Sequence, residues 1–143
     1  MELAQGVAAL TANQHSTIVT LKRDGKPQLS NVVHAVGEDG LVRVSITATR
    51  AKYHNLVRTP WAALHVNGPN GDFWSYAVVE CDASLGPVAA DPNDATVDEL
   101  VELYGKIAPE VHPDWDDYRR AMVADQRVVL TLTPVRAYGM LRG

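Results

Sequence analysis

The segment STIVTLKRDGKPQLSNVVHAV, residues 16–36, predicts two antiparallel strands joined by a tight turn. Polar and apolar residues alternate on both sides of Asp24-Gly25, as in strands that bury one face. The Asp-Gly pair is a strong signal for a two-residue hairpin turn, because glycine adopts a positive φ at little cost. Pro27 stands near the start of the return strand, where its missing N–H is least harmful. The segment therefore predicts the first hairpin of an antiparallel sheet.

Further strands are predicted along the rest of the chain, with short helices between them. These strands are LVRVSIT (41–47), WAALHV (61–66), DFWSYAVVECDASL (72–85) and RVVLTLTPVRAYGM (127–140). The early connections are short or hairpin-like, which favours antiparallel pairing. Such a sheet removes its edges by curling into a barrel. We therefore expect a mainly β (α+β) fold: a six-stranded antiparallel barrel, closed or partly split, with small peripheral helices, in a single domain over residues 1–143.

Composition and charge narrow the class of protein. The formal net charge is −4 and the pI is about 5.6, which argues against nucleic acid or an anionic membrane surface as the main partner. The single cysteine, Cys81, cannot form an internal disulfide and fits a reducing compartment. Neither a signal peptide nor an apolar run of about 20 residues, the length of a membrane span, is visible. We expect a cytoplasmic protein.

The helix predicted within SITATRAKYHNLVR, residues 45–58, carries cations at the end where its dipole disfavours them. Thr49 is the expected N-cap, Arg50 and Lys52 fall in the first turn, and no acid accompanies them. A helix N-terminus bears partial positive charge, so a bound anion such as phosphate would turn this repulsion into attraction. Solvated side chains, or pairing with distant acids, explain the charge pattern equally well.

Hydroxyl and amide side chains accompany this helix on two predicted strands. Ser45 and Thr47 share one face of the strand that leads into the helix. Gln28 and Ser30 share a face of the return strand, whereas Asn31 lies on the other face unless a bulge intervenes. Such groups suit the carbonyl and N–H edge of a heteroaromatic ring. A solvent-facing strand surface is the alternative interpretation.

An aromatic pair occurs in DFWSYA, residues 72–77. Trp74 and Tyr76 share a predicted strand face and could wall a flat ligand or contact a partner subunit. A core aromatic pair or a simple dimer contact would give the same pattern.

Neither a metal site nor a protein-borne catalytic group is predicted. The five histidines (15, 34, 54, 65 and 112) lack metal-ligand spacing, and Cys81 lies on the apolar face of its strand. No Walker motif, no Gly-x-Gly-x-x-Gly and no Gly-x-Ser-x-Gly is present. If the chain is an enzyme, a cofactor should supply the chemistry.

Three segments taken in order, IVTLKRDGKPQLSNV, RVSITATRAKYHNL and DFWSYAVVECDASL, resemble the pyridoxamine 5′-phosphate oxidase-like split β-barrel proteins. The branch most similar to the sequence is that of the actinobacterial oxidoreductases that use the deazaflavin coenzyme F420. The late segments VDELVELYGKI, DWDDYRRAMV and RVVLTLTPVRAYG extend the resemblance over nearly the whole chain. The basic C-terminal motif of the vitamin-pathway oxidases has no match, which makes oxidation of pyridoxine phosphate a poor expectation.

The resemblance implies a homodimer with two cofactor sites at the subunit interface and a small-molecule substrate. It implies that the cofactor phosphate is held by Arg50, Ala51 and Lys52, with Ser45 and Thr47 beside them. It also implies that the ring system lies along one strand and is approached from the interface side by two aromatic residues; these five residues are Gln28, Ser30, Asn31, Trp74 and Tyr76.

Three functions follow as alternatives from the resemblance. The first is an F420-dependent oxidoreductase that passes a hydride between reduced deazaflavin and a small unsaturated or planar acceptor. The second is an FMN-binding oxidase or flavin reductase. The third is a non-catalytic protein that binds a cofactor or another planar ligand. Extra cations near the groove, such as Arg58 or Arg43, would favour F420, whose tail is an acidic oligoglutamate chain.

Overall fold

In the computed structural model, which describes residues 1–108 and 110–142, seven strands form one antiparallel sheet with four α-helices around it. The elements in chain order are α1 (Leu3–Ala12), β1 (His15–Leu21), β2 (Pro27–Val33), β3 (Ala35–Val36), β4 (Val42–Thr47), α2 (Ala51–Arg58), β5 (Trp61–Asn67), β6 (Tyr76–Leu85), α3 (Ala95–Ile107), α4 (Trp115–Ala124) and β7 (Arg127–Met140). The strand order across the sheet is β2-β1-β5-β6-β7-β4-β3.

The first hairpin forms as the sequence predicts. β1 and β2 pair antiparallel from His15↔Val33 to Leu21↔Pro27 without a register shift. Gly25 in the turn has a φ of 84°, a value that residues with a Cβ rarely adopt. Because the register is regular, Gln28 and Ser30 lie on one face of β2 and Asn31 lies on the other.

The sheet curls on itself, which is apparent from how β2 leads into β3. The two strands are consecutive in the chain and only His34 separates them, yet they occupy opposite ends of the sheet order. One residue spans at most about 3.6 Å, so the two ends of the sheet must approach each other there. The confirmed architecture is thus an antiparallel split barrel. The expected strand count of six was one too low, because the return strand breaks at His34 and its last two residues pair with β4.

The barrel core is built from alternating side chains, as the strand patterns predict. On β4, Val42, Val44 and Ile46 are buried, while the residues between them are partly exposed. Leu10 of α1 and Leu56 of α2 also enter this core. Fully burying a side chain of this size stabilises the fold by about 1.5–3 kcal/mol. α2 is therefore anchored to the barrel through its apolar side.

Two late helices cover the outside of the sheet and form a second apolar cluster. Val97 and Leu100 of α3 and Met122 of α4 pack there with Val129 of β7. Asp94 caps α3, accepting a 2.8 Å hydrogen bond from the Val97 N–H. Within the described residues, no helix combines the length and apolarity that crossing a membrane requires.

The strand β6 begins later than the sequence pattern predicts. It starts at Tyr76 instead of residue 72, so Trp74 lies in the preceding loop, where its side chain is 64% exposed. The loop turns through positive φ values at Asn70 and Gly71 and is held by Asn67, whose amide donates to the Phe73 carbonyl at 2.9 Å. Alternating residues alone do not reveal that this turn continues past residue 72.

Candidate functional site

A cleft of about 410 Å³ lies where the two ends of the curled sheet meet beside α2. Strand β2 supplies one wall and β4 another, although β1, β5, β6 and β7 lie between them in the sheet order. The N-terminus of α2 closes the cleft because that helix follows β4 directly. The lining residues are Gln28, Ser30, Ser45, Ile46, Thr47, Arg50, Ala51, Lys52 and Arg127.

The helix that borders the cleft begins one residue later than predicted. Its N-cap is Arg50, not Thr49, and no side chain caps it. The reason is the turn out of β4, in which the Arg50 N–H donates to the Thr47 carbonyl at 3.1 Å. The first N–H groups of a helix have no acceptors within the helix. At α2 the Tyr53 N–H donates to the Arg50 carbonyl at 3.2 Å. The N–H groups of Ala51 and Lys52 remain beside the cleft, together with the positive end of the dipole.

Among the described residues, three cations and no acid line the cleft. They are Arg50, Lys52 and Arg127. Burial lowers the pKa of the Lys52 ammonium, and the neighbouring Arg127 and Arg50 lower it further. A lysine whose protonated form is opposed by both burial and like charge lacks a counter-ion. The cleft thus has the electrostatic character of an anion site.

Arg127 is the member of this group that the sequence did not reveal. It lies at the cleft because the register of β4 and β7 pairs Thr47 with Arg127. Its Nη1 donates to the Ser45 carbonyl at 3.4 Å, and its Nε lies 3.9 Å from Asp125 Oδ2. The Nε is nevertheless buried and has no hydrogen-bond partner within the described residues. The buried Nε is therefore shielded from the cleft, and Arg127 contributes to the site through its positive charge.

The polar side chains of β2 are held in place by contacts from α2. Lys52 Nζ donates to Ser30 Oγ at 3.1 Å, across the split between the two ends of the sheet. Asn55, which is buried, donates through Nδ2 to Gln28 Oε1 at 2.8 Å and to Thr20 Oγ1 at 3.1 Å. These bonds orient Gln28 and Ser30 toward the cleft and tie the helix to the hairpin.

The other predicted site residues lie away from this cleft within the chain. Asn31 belongs to the outer face of β2, where it lines a separate groove of about 480 Å³ together with His65 and Asn67. Tyr76 stacks on His65, with ring centroids 5.7 Å apart and planes at 18°. Trp74 packs edge-on against its neighbour in the exposed loop. These three predicted residues share the outer surface of the barrel instead of the anion cleft.

The outer surface of the sheet is unusually apolar for an exposed face. Leu29 is 60% exposed and Tyr138 is 52% exposed, and both line a further groove of about 440 Å³. Trp61 and Val78 line the same groove from β5 and β6. Large apolar patches of this kind commonly mark interaction surfaces.

The two arginines named as possible contacts for an acidic tail differ in position. Arg43 pairs with Asp39 at 2.8 Å and lies 3.7 Å from Glu99, and it lines a different cavity. Arg58 lies on the helix that borders the cleft and donates through Nη2 to Asn55 Oδ1 at 2.8 Å. Arg58 also donates to the Leu21 carbonyl at 3.3 Å from the last turn of α2. Neither arginine is among the described residues that line the cleft.

Cys81 and the histidines, which the sequence did not favour as catalytic or metal-binding residues, were placed as follows by the structure. Cys81 is buried, and burial, with Asp82 and Glu80 nearby, raises the pKa of its thiol to about 12, so the thiolate nucleophile is scarcely formed. His34 is buried between Ser16 Oγ and the Leu10 carbonyl. No cluster of three His, Cys, Asp or Glu side chains suited to a metal ion occurs in the described parts of the chain.

Comparisons with known proteins bear on both the fold and the cleft. The family model described as pyridoxamine 5′-phosphate oxidase matches residues 4–141. A solved F420 reductase is 23% identical, with a TM-score of 0.65 over 92% of this chain and 94% of its own. An FMN-binding protein related to pyridoxamine 5′-phosphate oxidase, from Nostoc punctiforme, is 17% identical, with a TM-score of 0.61 over 97% and 80%. A heme storage protein from Vibrio cholerae is 12% identical, with a TM-score of 0.66 over 97% and 95%. At these identities the structural matches show a shared fold.

Proposed function

This chain belongs to the pyridoxamine 5′-phosphate oxidase family, and we propose that it is an F420-dependent oxidoreductase that transfers a hydride between reduced deazaflavin and a small unsaturated or planar acceptor. The observation that carries the proposal is the cleft in which Arg50, Lys52 and Arg127 lie beside an uncapped helix N-terminus, with no acid among the described lining residues. That arrangement favours a phosphate group, since the backbone N–H groups, the dipole and the cations all attract the same charge.

The residues present fit a cofactor phosphate. Burial, Arg127 and Arg50 all disfavour the charged form of Lys52, and a bound phosphate would stabilise that form. Ser45, Thr47 and the backbone at Ala51 line the same cleft and could complete the contacts. A bound F420 would supply the hydride chemistry. The chain's own residues would hold the phosphate, orient the ring beside Gln28 and keep water from it.

FMN is the second candidate, because it offers the same phosphate to the same cleft. What favours F420 is the similarity over most of both chains to a protein described as an F420 reductase. What favours FMN is the similarity to the FMN-binding protein from Nostoc punctiforme. Both cofactors place oxidoreductase chemistry at one site.

A non-catalytic binder is the third candidate. In the part of the chain that the structure describes, no His, Asp, Glu or Cys lines the cleft as a candidate general acid or base, and a protein described as a heme storage protein shares the fold. A hydride transfer needs no such group from the protein, so the lining is compatible with both readings. Only turnover distinguishes them.

We also propose a homodimer in which the apolar outer surface of the barrel is the contact. Leu29 and Tyr138 would be buried there, and Asn31, Trp74 and Tyr76 would approach the cofactor bound by the other subunit. Leu29→Arg puts a charge on that surface without entering the core. Sedimentation should then shift from dimer toward monomer, while a wild-type protein that sediments as a monomer at micromolar concentration would exclude the dimer.

The cofactor assignment is tested by titrating the purified protein separately with F420 and FMN. We expect F420 to bind at least about tenfold more tightly, a difference of about 1.4 kcal/mol. Stopped-flow mixing of the reduced complex with planar unsaturated acceptors should then show reoxidation faster than that of free reduced F420. Tighter binding of FMN would transfer the proposal to the second candidate, and tight binding without accelerated reoxidation would favour the third. Binding of neither cofactor would contradict the first two candidates and leave only a binder of another planar ligand.

A further inference from the structure

A network of hydrogen bonds runs from Arg58, the last residue of α2, to the residue expected to face the ring. Arg58 Nη2 donates to Asn55 Oδ1 at 2.8 Å, and Asn55 Nδ2 donates to Gln28 Oε1 at 2.8 Å. Asn55 Nδ2 also donates to Thr20 Oγ1 at 3.1 Å. Asn55 is buried and does not line the cleft, whereas Gln28 does. The residues proposed to hold the phosphate do not take part in this hydrogen-bond network.

Arg58 determines which group donates and which accepts in each hydrogen bond of this network. A guanidinium has only N–H donors, so the group of Asn55 that faces Arg58 must be the carbonyl oxygen. The Asn55 NH₂ then faces Gln28, which requires the Gln28 carbonyl oxygen to point back at Asn55. The Gln28 NH₂ is thereby left for the cleft, and within the described residues no protein group accepts from it. Arg58 thus makes Gln28 a hydrogen-bond donor to any ligand.

Ser30, the second polar residue on this face of β2, is also left as a hydrogen-bond donor to the cleft. Lys52 Nζ donates to Ser30 Oγ at 3.1 Å. An ammonium cannot accept, so the Ser30 oxygen accepts from it and the Ser30 hydroxyl proton is free to point into the cleft. Both β2 side chains therefore offer donors to a ligand, and in both cases a cation on α2 imposes that direction.

We propose that Asn55, oriented by Arg58, is a positioning residue that holds Gln28 as a donor, and that the ligand edge facing Gln28 carries acceptors. A ring carbonyl oxygen or a deprotonated ring nitrogen meets this requirement, and an N–H edge does not. The inference rests on the proposed function for the identity of the ligand, but the direction of the Gln28 amide is a property of the protein alone.

Asn55→Asp tests the inference because it keeps the hydrogen bond between residue 55 and Gln28 but exchanges the donor and the acceptor. A carboxylate at this position accepts from Arg58 and also from Gln28, so the Gln28 amide should rotate and present its carbonyl oxygen to the cleft. Affinity for the ring-bearing cofactor that the wild type binds, F420 or FMN, should fall at least about tenfold. Affinity for inorganic phosphate should change less than about threefold, because the phosphate contacts are elsewhere in the cleft. Thr20→Val, which removes only the other acceptor of Asn55, should leave cofactor affinity within about threefold.

A double-mutant cycle separates positioning from a general effect of the new charge. In a Gln28→Ala background, Asn55→Asp should lose most of its effect on cofactor affinity, since the residue through which it acts is gone. Equal losses in both backgrounds would overturn the inference. If Asn55→Asp does not fold, Arg58→Met, at the exposed end of the hydrogen-bond network, replaces it. Its loss of cofactor affinity should be smaller, about twofold to fivefold, and should likewise vanish in the Gln28→Ala background. Persistence of that loss would overturn the inference.

The side-chain NH₂ resonances of Gln28, assigned by their absence in Gln28→Ala, test the amide direction without any ligand. They should move downfield in Asn55→Asp, because they then donate to a carboxylate. Unmoved resonances would overturn the inference even if the cofactor binds. A downfield shift in a protein that binds neither F420 nor FMN would support the amide direction while refuting the proposed function, so the two failures are distinguishable.

Discussion

Replacing Lys52 by Met should weaken ligand binding while leaving the stability of the ligand-free protein nearly unchanged. The substitution keeps a long unbranched side chain and removes the charge from the first turn of α2. In the ligand-free protein, Lys52 is disfavoured by burial, by Arg127 and by Arg50, and its one direct hydrogen bond is to Ser30. With phosphate present, the same ammonium becomes a direct counter-ion.

The magnitude follows from these contacts. Removing a cation from a helix N-terminus gains about 0.3–1 kcal/mol, and losing the Ser30 hydrogen bond costs about 0.5–1.5 kcal/mol. The free energy of unfolding of the ligand-free protein should therefore stay within about 1 kcal/mol of the wild-type value. A charge-assisted hydrogen bond to phosphate contributes about 1.5–3 kcal/mol, so phosphate or cofactor affinity should fall about tenfold to 150-fold.

The pH dependence of stability supplies a second signature of Lys52. Its pKa in the folded protein lies below the ordinary 10.5, so within the interval between those values the unfolded chain binds more protons. Wild-type stability should rise with pH through this interval, whereas below it the cost of the charged lysine is fully present. Lys52→Met should lack that rise.

Urea unfolding and calorimetric titration with phosphate, F420 and FMN measure both effects. Lys22→Met, which removes an exposed lysine from the β1–β2 turn, is the matched control and should leave both quantities near the wild-type values. A Lys52→Met protein that binds all three ligands as the wild type does would refute the anion site. A loss of several kcal/mol of stability would refute the view that Lys52 lacks a counter-ion in the free protein.

The remaining predictions concern groups outside the cleft. Burial lowers the pKa of His34 below its ordinary 6.5. As the pH drops below about 6.5, the unfolded chain therefore binds a proton before the folded protein does, and stability should fall. The urea midpoint of His34→Gln should show less of this decrease. Cys81, with a pKa near 12, should react with a thiol reagent at pH 8 only after urea unfolding, and rapid reaction of the native protein would contradict its burial. Asp94→Ala should cost about 1–2 kcal/mol in urea unfolding, because the carboxylate accepts from the N–H groups of Val97, Ala90 and Asp91, whereas an unchanged midpoint would show that the cap contributes nothing.

Local patterns in the sequence predicted the barrel well, because each rests on neighbouring residues. The turn at Gly25 and the alternation on β4 both need only a short window of sequence to be recognised. The break at His34 was not predicted, since the segment remains apolar and alternating on either side. What ends the strand is the return of the sheet on itself, which depends on all the strands together.

The sequence revealed those residues of the candidate site that give a local signal and missed those that depend on contacts between elements. Arg50 and Lys52 conflict with the helix dipole, which is visible from their position in one short helix. Arg127 enters the cleft through the pairing of β4 with β7, and Asn55 matters through contacts with another element. A strand register or a side-chain network across elements leaves no local signal. The Arg-Val-Val start of the last strand would become informative only once the register with Thr47 is known.

A crystal structure of the protein with bound F420 is the decisive measurement for the proposed cofactor site. We predict the cofactor phosphate at the N-terminus of α2, within hydrogen-bond distance of Lys52 and Arg127, and the ring carbonyl edge facing the NH₂ of Gln28. A phosphate bound elsewhere, with the cleft beside α2 filled only by solvent, would contradict it.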